Sequence, residues 1–108
     1  MEIIMRKHPV HGSWSLAAHG ELDAQTIRPL RQAAEAAAAM FPALVLDFGA
    51  VTFADSSALN LLLLLHDITE LHVAAPQPQL LRVLALTGAD QVLRIYPSAD
   101  LACAAATV

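Results

Sequence analysis

The sequence predicts a single α/β domain built on a central, mainly parallel β-sheet of about five strands, with about four helices. Strand-like and helix-like patterns alternate along most of the chain. The segment Leu44-Val45-Leu46-Asp47-Phe48 is almost continuously apolar, as a strand covered on both faces is. Gly, Pro, Asp and Ser punctuate the changes of pattern. The chain has 108 residues, the length of one domain. That is enough to bury a core without disulfide or metal staples. No linker, repeat or low-complexity stretch divides it, so residues 1–108 read as one unit.

The elements follow in order. Ile3-Ile4-Met5 and Trp14 to His19 read as two strands, joined through Pro9 and Gly12. Trp14, Leu16 and Ala18 alternate with Ser13, Ser15 and Ala17, the signature of a half-buried strand that Gly20-Glu21-Leu22-Asp23 closes. A helix is expected from near Thr26 to Met40. Leu30, Ala33, Ala34, Ala37 and Met40 form its inner face, and Arg28, Arg31, Gln32 and Glu35 its outer face. Pro29 is tolerated because the first turn of a helix has N–H groups without intrahelical partners. Leu44 to Phe48 is the third strand; Gly49 is expected to turn the chain before Val51-Thr52-Phe53. A second helix runs from Ala58 to about His66, then a strand from Leu71 to Ala75. Pro78 to Thr87 is a helix that Gly88 stops. Val92 to Tyr96 is the last strand, and Ser98-Ala99-Asp100 opens a short Ala-rich helix.

Composition excludes several functions. Apolar residues are 56% of the chain and the net charge is −4. No Lys/Arg cluster exists that could neutralise a run of phosphates, so nucleic acid is not an expected partner. Cys103 is the only cysteine, in keeping with a reducing compartment. The charged start of the chain leads into no long apolar segment, so no signal peptide is expected. The greasiest run, Ala58 to Leu65, falls well short of the roughly 20 residues of a membrane span. A cytoplasmic location without membrane insertion is the expectation.

Asp55-Ser56-Ser57 is the most informative stretch. Its bland reading is a helix cap, since Asp and Ser side chains accept bonds from the free N–H groups of a starting helix. Ser57, nearer the helix body, is the expected cap. A helix N-terminus also tolerates a phosphate, because its free N–H groups and dipole favour negative charge.

Taken together, Gly20-Glu21-Leu22-Asp23, Leu46-Asp47-Phe48 with Val51-Thr52-Phe53, Asp55-Ser56-Ser57 with Leu59, and Leu86-Thr87-Gly88-Ala89-Asp90 with Val92 and Ile95 resemble a STAS domain. The nearest type is the bacterial anti-sigma factor antagonist, and the resemblance runs from about residue 3 to 105. It implies a STAS-type fold and a binding module with no catalytic residues and no cofactor. It implies that Ser56, directly after Asp55, accepts a phosphate, and that Asp23 lies beside it. The implied partner of the unphosphorylated form is an anti-sigma factor that doubles as a serine kinase of the Bergerat ATPase fold. Binding it frees a sigma factor, phosphorylation breaks the complex, and a metal-dependent serine phosphatase resets it. The alternative is a STAS subunit that is never phosphorylated, in a signalling assembly or a membrane lipid transporter.

Two features depart from the family. Ala58 stands where Gly is usual, with its methyl expected where a partner approaches. The stretch from Ser57 to Leu71 is also short by about a helical turn and a loop. The expected partner-binding residues are Asp23, Asp55, Ser57, Ala58, Leu61 and Leu64. Over Ala58 to His66, helical spacing places Leu59, Leu62, Leu63 and His66 on one face and Asn60, Leu61 and Leu64 on the other. Leu61 and Leu64 are therefore expected to contact the anti-sigma partner, or a second copy of this protein when none is present. In the bland alternative, the short connection tilts the helix and buries all five leucines.

The remaining polar residues give weaker readings. His8 and His11 form a pair by spacing but straddle Pro9 with no third ligand nearby, so a surface loop is expected and no metal site. His66 suits a helix C-terminus, while His19 and His72 carry no pattern. Ser56, His66 and Asp47 match a hydrolase triad by residue type only, with neither a Gly-x-Ser-x-Gly elbow nor a phosphate-cradling glycine loop.

Overall fold

The computed structural model describes residues 2–108. Five strands form one sheet in chain order: β1 (Glu2–Lys7), β2 (Trp14–Leu22), β3 (Ala43–Ala54), β4 (Glu70–Ala74) and β5 (Arg94–Tyr96). β1 pairs antiparallel with β2, and all later pairings are parallel. The helices are α1 (Ile27–Met40), α2 (Ser56–Ile68), α3 (Pro78–Thr87) and α4 (Ala99–Ala105), with a 3-10 turn at Ala89–Gln91. The alternation of strand and helix is as the sequence predicts.

The main core lies between the sheet and α1, α2 and α3. Leu16, Leu22, Leu30, Leu44, Leu46, Phe48, Leu62, Leu65, Leu71, Val73, Leu80 and Leu84 are buried there. A smaller cluster lies under α4 on the opposite face, where Ala43, Val45, Ala74, Ala102, Cys103 and Ala106 meet. β3 and β4 are thus covered on both sides, which is why their sequences read as nearly continuous apolar runs. The β1–β2 part of the α4 face stays open, as a cleft of about 520 Å³ whose lining includes Ile4, Arg6, Ser15 and His19.

Local chemistry sets most boundaries. Pro78 opens α3, and Gly88 closes it with φ 78°, a left-handed conformation that costs glycine nothing. Ser98 caps α4 by accepting from the N–H of Leu101. Arg31 and Glu35 pair at 2.7 Å one turn apart on the solvent face of α1. Met40, expected inside, is 73% exposed: it is the last residue of α1, where the helix has run past the edge of the core.

β3 departs from expectation. It is one strand of 12 residues, and Gly49 does not turn the chain. Against β2, the register slips between Ala17 and His19 and again between Gly20 and Glu21, so β3 bulges and continues. Asp47 Oδ1 accepts from the Gly49 N–H at 2.9 Å, and a Cβ at position 49 would stand 3.2 Å from that oxygen. Glycine at the bulge leaves room for the carboxylate.

Candidate functional site

The long β3 delivers Asp55 and Ser56 to the rim where the parallel strands end. The Asp55 N–H donates to Leu22 O at 3.1 Å, and Leu22 pairs with Ala54 in the sheet. Asp23 follows Leu22 and Ser56 follows Asp55, so this link sets the two on one rim. Gln79 reinforces it from α3: its Oε1 accepts from Ala54 N at 3.0 Å and its Nε2 donates to Ala54 O at 2.8 Å. An amide side chain thereby serves both backbone groups of the last β3 residue as a neighbouring strand would.

Asp55, not Ser57, caps α2. Its Oδ1 accepts from Ser57 N at 2.8 Å, and its carbonyl accepts from Ala58 N at 3.1 Å. The helix starts two residues earlier than Ala58, so Ser56 and Ser57 occupy its first turn and the residue before them becomes the cap. Ser56 is exposed; Ser57 is half-buried and lines a crevice of about 230 Å³ between α1 and α2, with Ile27, Arg31, Asn60, Leu61 and Leu64.

Asp23 is held by its own turn. Its Oδ1 accepts from the N–H groups of Gln25 and Thr26, each at 2.9 Å, and its N–H donates to Thr26 Oγ1 at 3.0 Å. The Thr26 N–H, then that of Gln25, hold the Asp23 carboxyl below the usual carboxylate range, against an opposing push from desolvation. Thr26 and Gln79 both shape the rim, and neither was singled out from the sequence. The i, i+3 spacing of Asp23 and Thr26 is a readable turn signal. Nothing near Gln79 in sequence points to Ala54.

Two expected contact residues face inward. Ala58 is 1% exposed and Leu61 is 4% exposed, both within the main core. α2 buries Ala58, Leu61, Leu62 and Leu65, an i, i+3, i+4, i+7 stripe, so its inner face is turned away from the one expected. The Ala58 methyl is therefore enclosed in the core, and Leu61 shows only a small edge at the crevice. Leu64 is half-buried beside α1, and Leu59 and Leu63 are half-buried against the main core, so the leucines divide between core and flanks. The short connection noted in the sequence is one residue, Thr69, because α2 extends to Ile68.

The other constellations resolve differently. Ser56 and His66 lie ten residues apart along α2, about 15 Å at the helical rise, so they form no triad. His8 Nδ1 accepts from the N–H groups of Val10 and His11 at 3.2 and 3.1 Å, which leaves Nε2–H to donate to Asp100 at 3.0 Å. Both His8 nitrogens therefore serve the β1–β2 turn and its contact with α4. His72, which carried no pattern, is buried between Glu70 (Nε2 to Oε2, 2.8 Å) and Tyr96 (Nδ1 to Oη, 2.9 Å).

Comparison with known proteins then assigns the fold to a family. The family model described as "Mlab, STAS domain" matches residues 10–95. The chain belongs to the STAS family. This STAS domain superposes on the crystal structure of an anti-sigma factor antagonist from Mycobacterium paratuberculosis with a TM-score of 0.84 and 33% identity, covering 94% of this chain and 89% of that one. The phosphorylated form of SpoIIAA, a Bacillus cell fate determinant, matches with a TM-score of 0.65 and 17% identity over 87% of this chain and 90% of that one. The STAS domain of a SulP transporter from Vibrio cholerae matches at 0.64 and 15%, over 82% and 76% of the two chains. At those identities the last two likenesses are of fold alone. Comparison with curated proteins gave no match.

Proposed function

We propose that this STAS domain is an anti-sigma factor antagonist, a cytoplasmic binding module that phosphorylation of Ser56 switches off. The observation that carries the reading is the division of labour at the start of α2. Asp55 provides the cap, which leaves the exposed Ser56 hydroxyl free of that duty. A phosphate there lies at the positive end of the helix dipole, so the fold tolerates it. It brings about −1.5 to −2 charges to a rim that already carries the Asp23 and Asp55 carboxylates. A partner docked on Asp23, Asp55, Ser57 and the nearby flank at Leu64 then meets repulsion and an unpaired, desolvated charge. The proposed partner is an anti-sigma factor with serine kinase activity of the Bergerat ATPase type, and a metal-dependent serine phosphatase reverses the modification. The 33% identity to an anti-sigma factor antagonist supports this choice of partner class.

The test is labelling by the cognate kinase with wild type, Ser56→Ala and Ser57→Ala. Label is expected to vanish only in Ser56→Ala, which keeps the wild-type circular dichroism spectrum. Persistence of label in Ser56→Ala with loss in Ser57→Ala overturns the assignment.

A second reading takes support from the transporter STAS domain among the fold matches and from the family description. In it the domain is a constitutive subunit of a membrane transporter or signalling assembly and is never phosphorylated. It predicts a stable complex whose affinity is the same for Ser56→Ala and Ser56→Asp.

A further inference from the structure

β1 and β5 are the two edges of the sheet, and they differ in kind. β5 has three residues and is followed by Pro97, so it offers little to pair with. β1 has six residues with no proline or glycine and, among the described residues, is hydrogen-bonded as a strand to β2 alone. Glu2, Ile4 and Arg6 share the open cleft face: Ile4 and Arg6 line the cleft, and Glu2 reaches 4.0 Å from His19, another lining residue. Ile3 packs on the main core from the other face, and Met5, on that same face, is 40% exposed.

We infer that β1 is a self-association strand, adding antiparallel to β1 of a second copy about a two-fold axis through Ile4. The register follows from the pleat. A two-fold axis normal to the sheet keeps each face on its own side, so opposed residues must share a face. With Ile4 on the axis, Glu2 lies opposite Arg6 of the second copy, twice, and Ile3 lies opposite Met5, twice. Both charge pairs are then attractive and the exposed Met5 gains an apolar neighbour. With Met5 on the axis, Arg6 faces Ile4 and Lys7 faces Ile3. With Arg6 on the axis, two guanidinium groups oppose each other. Arg6 is the kind of charge that guards an edge against foreign strands; here Glu2 answers it only in the one register that pairs the chain with itself. Glu2's existing neighbour, His19, is at the limit of ion-pair distance, and Arg6 has no carboxylate within 4.0 Å among the described residues.

The contact is small. It adds about four to six inter-chain backbone hydrogen bonds, and an interface of this size is weak, with a dissociation constant of roughly micromolar to millimolar. It produces a ten-stranded sheet with α1, α2 and α3 of both copies on one side. The inference rests on the fold and holds for either functional reading.

Analytical ultracentrifugation of the full chain up to about millimolar concentration tests it. Wild type is expected to dimerise. Glu2→Arg and Arg6→Glu each turn two attractive pairs into two repulsive ones and should each weaken association about tenfold or more. The double variant Glu2→Arg/Arg6→Glu should recover it, and so should an equimolar mixture of the two single variants, as a heterodimer. Both residues are exposed, so melting temperatures should stay close to wild type. In parallel, Ile4→Cys should oxidise to a covalent dimer. Its two Cα atoms lie about 4.5–5.5 Å apart in the pairing, within the roughly 4.4–6.8 Å that a disulfide spans. Met5→Cys, opposite Ile3 and not itself, should cross-link far more slowly. A chain that stays monomeric, a dimer indifferent to the charge reversals, or cross-linking no faster at position 4 than at position 5 overturns the proposal.

Discussion

Replacing Glu70 by Gln removes the charge that ties the start of β4 to the end of the chain. Glu70 Oε2 accepts from Thr107 N at 2.8 Å and from His72 Nε2 at 2.8 Å, and its Oε1 accepts from Thr107 Oγ1 at 2.8 Å. The Thr107 backbone N–H first, and the His72 side chain second, bring its carboxyl from 4.5 to about 2. Taken whole, that difference is worth ~3 kcal/mol. The Glu70 side chain is 30% exposed, so solvent screening reduces the contribution to about 1–2 kcal/mol. The folded value lies below the unfolded one. The stabilisation is therefore complete above about pH 4.5 and disappears as the pH falls through about 2. Urea unfolding at a series of pH values from about 7 down to about 2.5 reads it directly. Glu70→Gln should be about 1–2 kcal/mol less stable than wild type at neutral pH, and the gap should shrink to a fraction of that at the acid end. Parallel stability curves over that whole range, or a neutral-pH difference near zero, refute the reasoning.

Three further predictions test the scaffold of the site and the core. Asp55→Ala should lose about 1 kcal/mol while Asp55→Asn retains most of it, measured by thermal unfolding, because the cap needs an oxygen more than a charge. Tyr96→Phe leaves the buried His72 Nδ1 without its donor and should cost about 1–3 kcal/mol in the same assay. Leu62→Ala, at a fully buried position of α2, should cost about 2–5 kcal/mol in urea unfolding, more than the same change at exposed Leu86.

Elements bounded by strong local chemistry were legible in the sequence. α3 begins at Pro78 and ends at Thr87 as read, because proline at a helix start and glycine after its end are local preferences. The start of α1 near Thr26 and its solvent face of Arg28, Arg31, Gln32 and Glu35 were legible for the same reason, a clear helical period. The inward face of α2 was not. Leu61 to Leu65 is an unbroken leucine run, so no period marks which side is apolar, and packing against α1 and the sheet decides the rotation. Gly49 reads as a turn, but a glycine suits a bulge as well, and only the β2 register separates the two. The Glu70–His72–Tyr96–Thr107 network spans chain separations of 24 and 37 residues, which no local pattern encodes. At the candidate site, Asp55-Ser56-Ser57 was legible as a helix start, while the exchange of roles between Asp55 and Ser57 depended on where the first turn begins.

Because the sheet order is the chain order, the strands can be laid down in the sequence in which the ribosome delivers them. β1 and β2 form a hairpin, and each later strand joins the edge its predecessor has just exposed, with the intervening helix closing over it. No strand has to be inserted between two that are already paired, so each step closes only a short loop and the entropy of closure stays small. A chain that ends at Ile68 contains the residues of β1, β2, β3, α1 and α2, but lacks the strand that covers the outer edge of β3 and the helix that covers its other face. Until β4 is added, that bare edge is open to wrong pairing, and the single residue Thr69 between α2 and β4 helps keep the interval short.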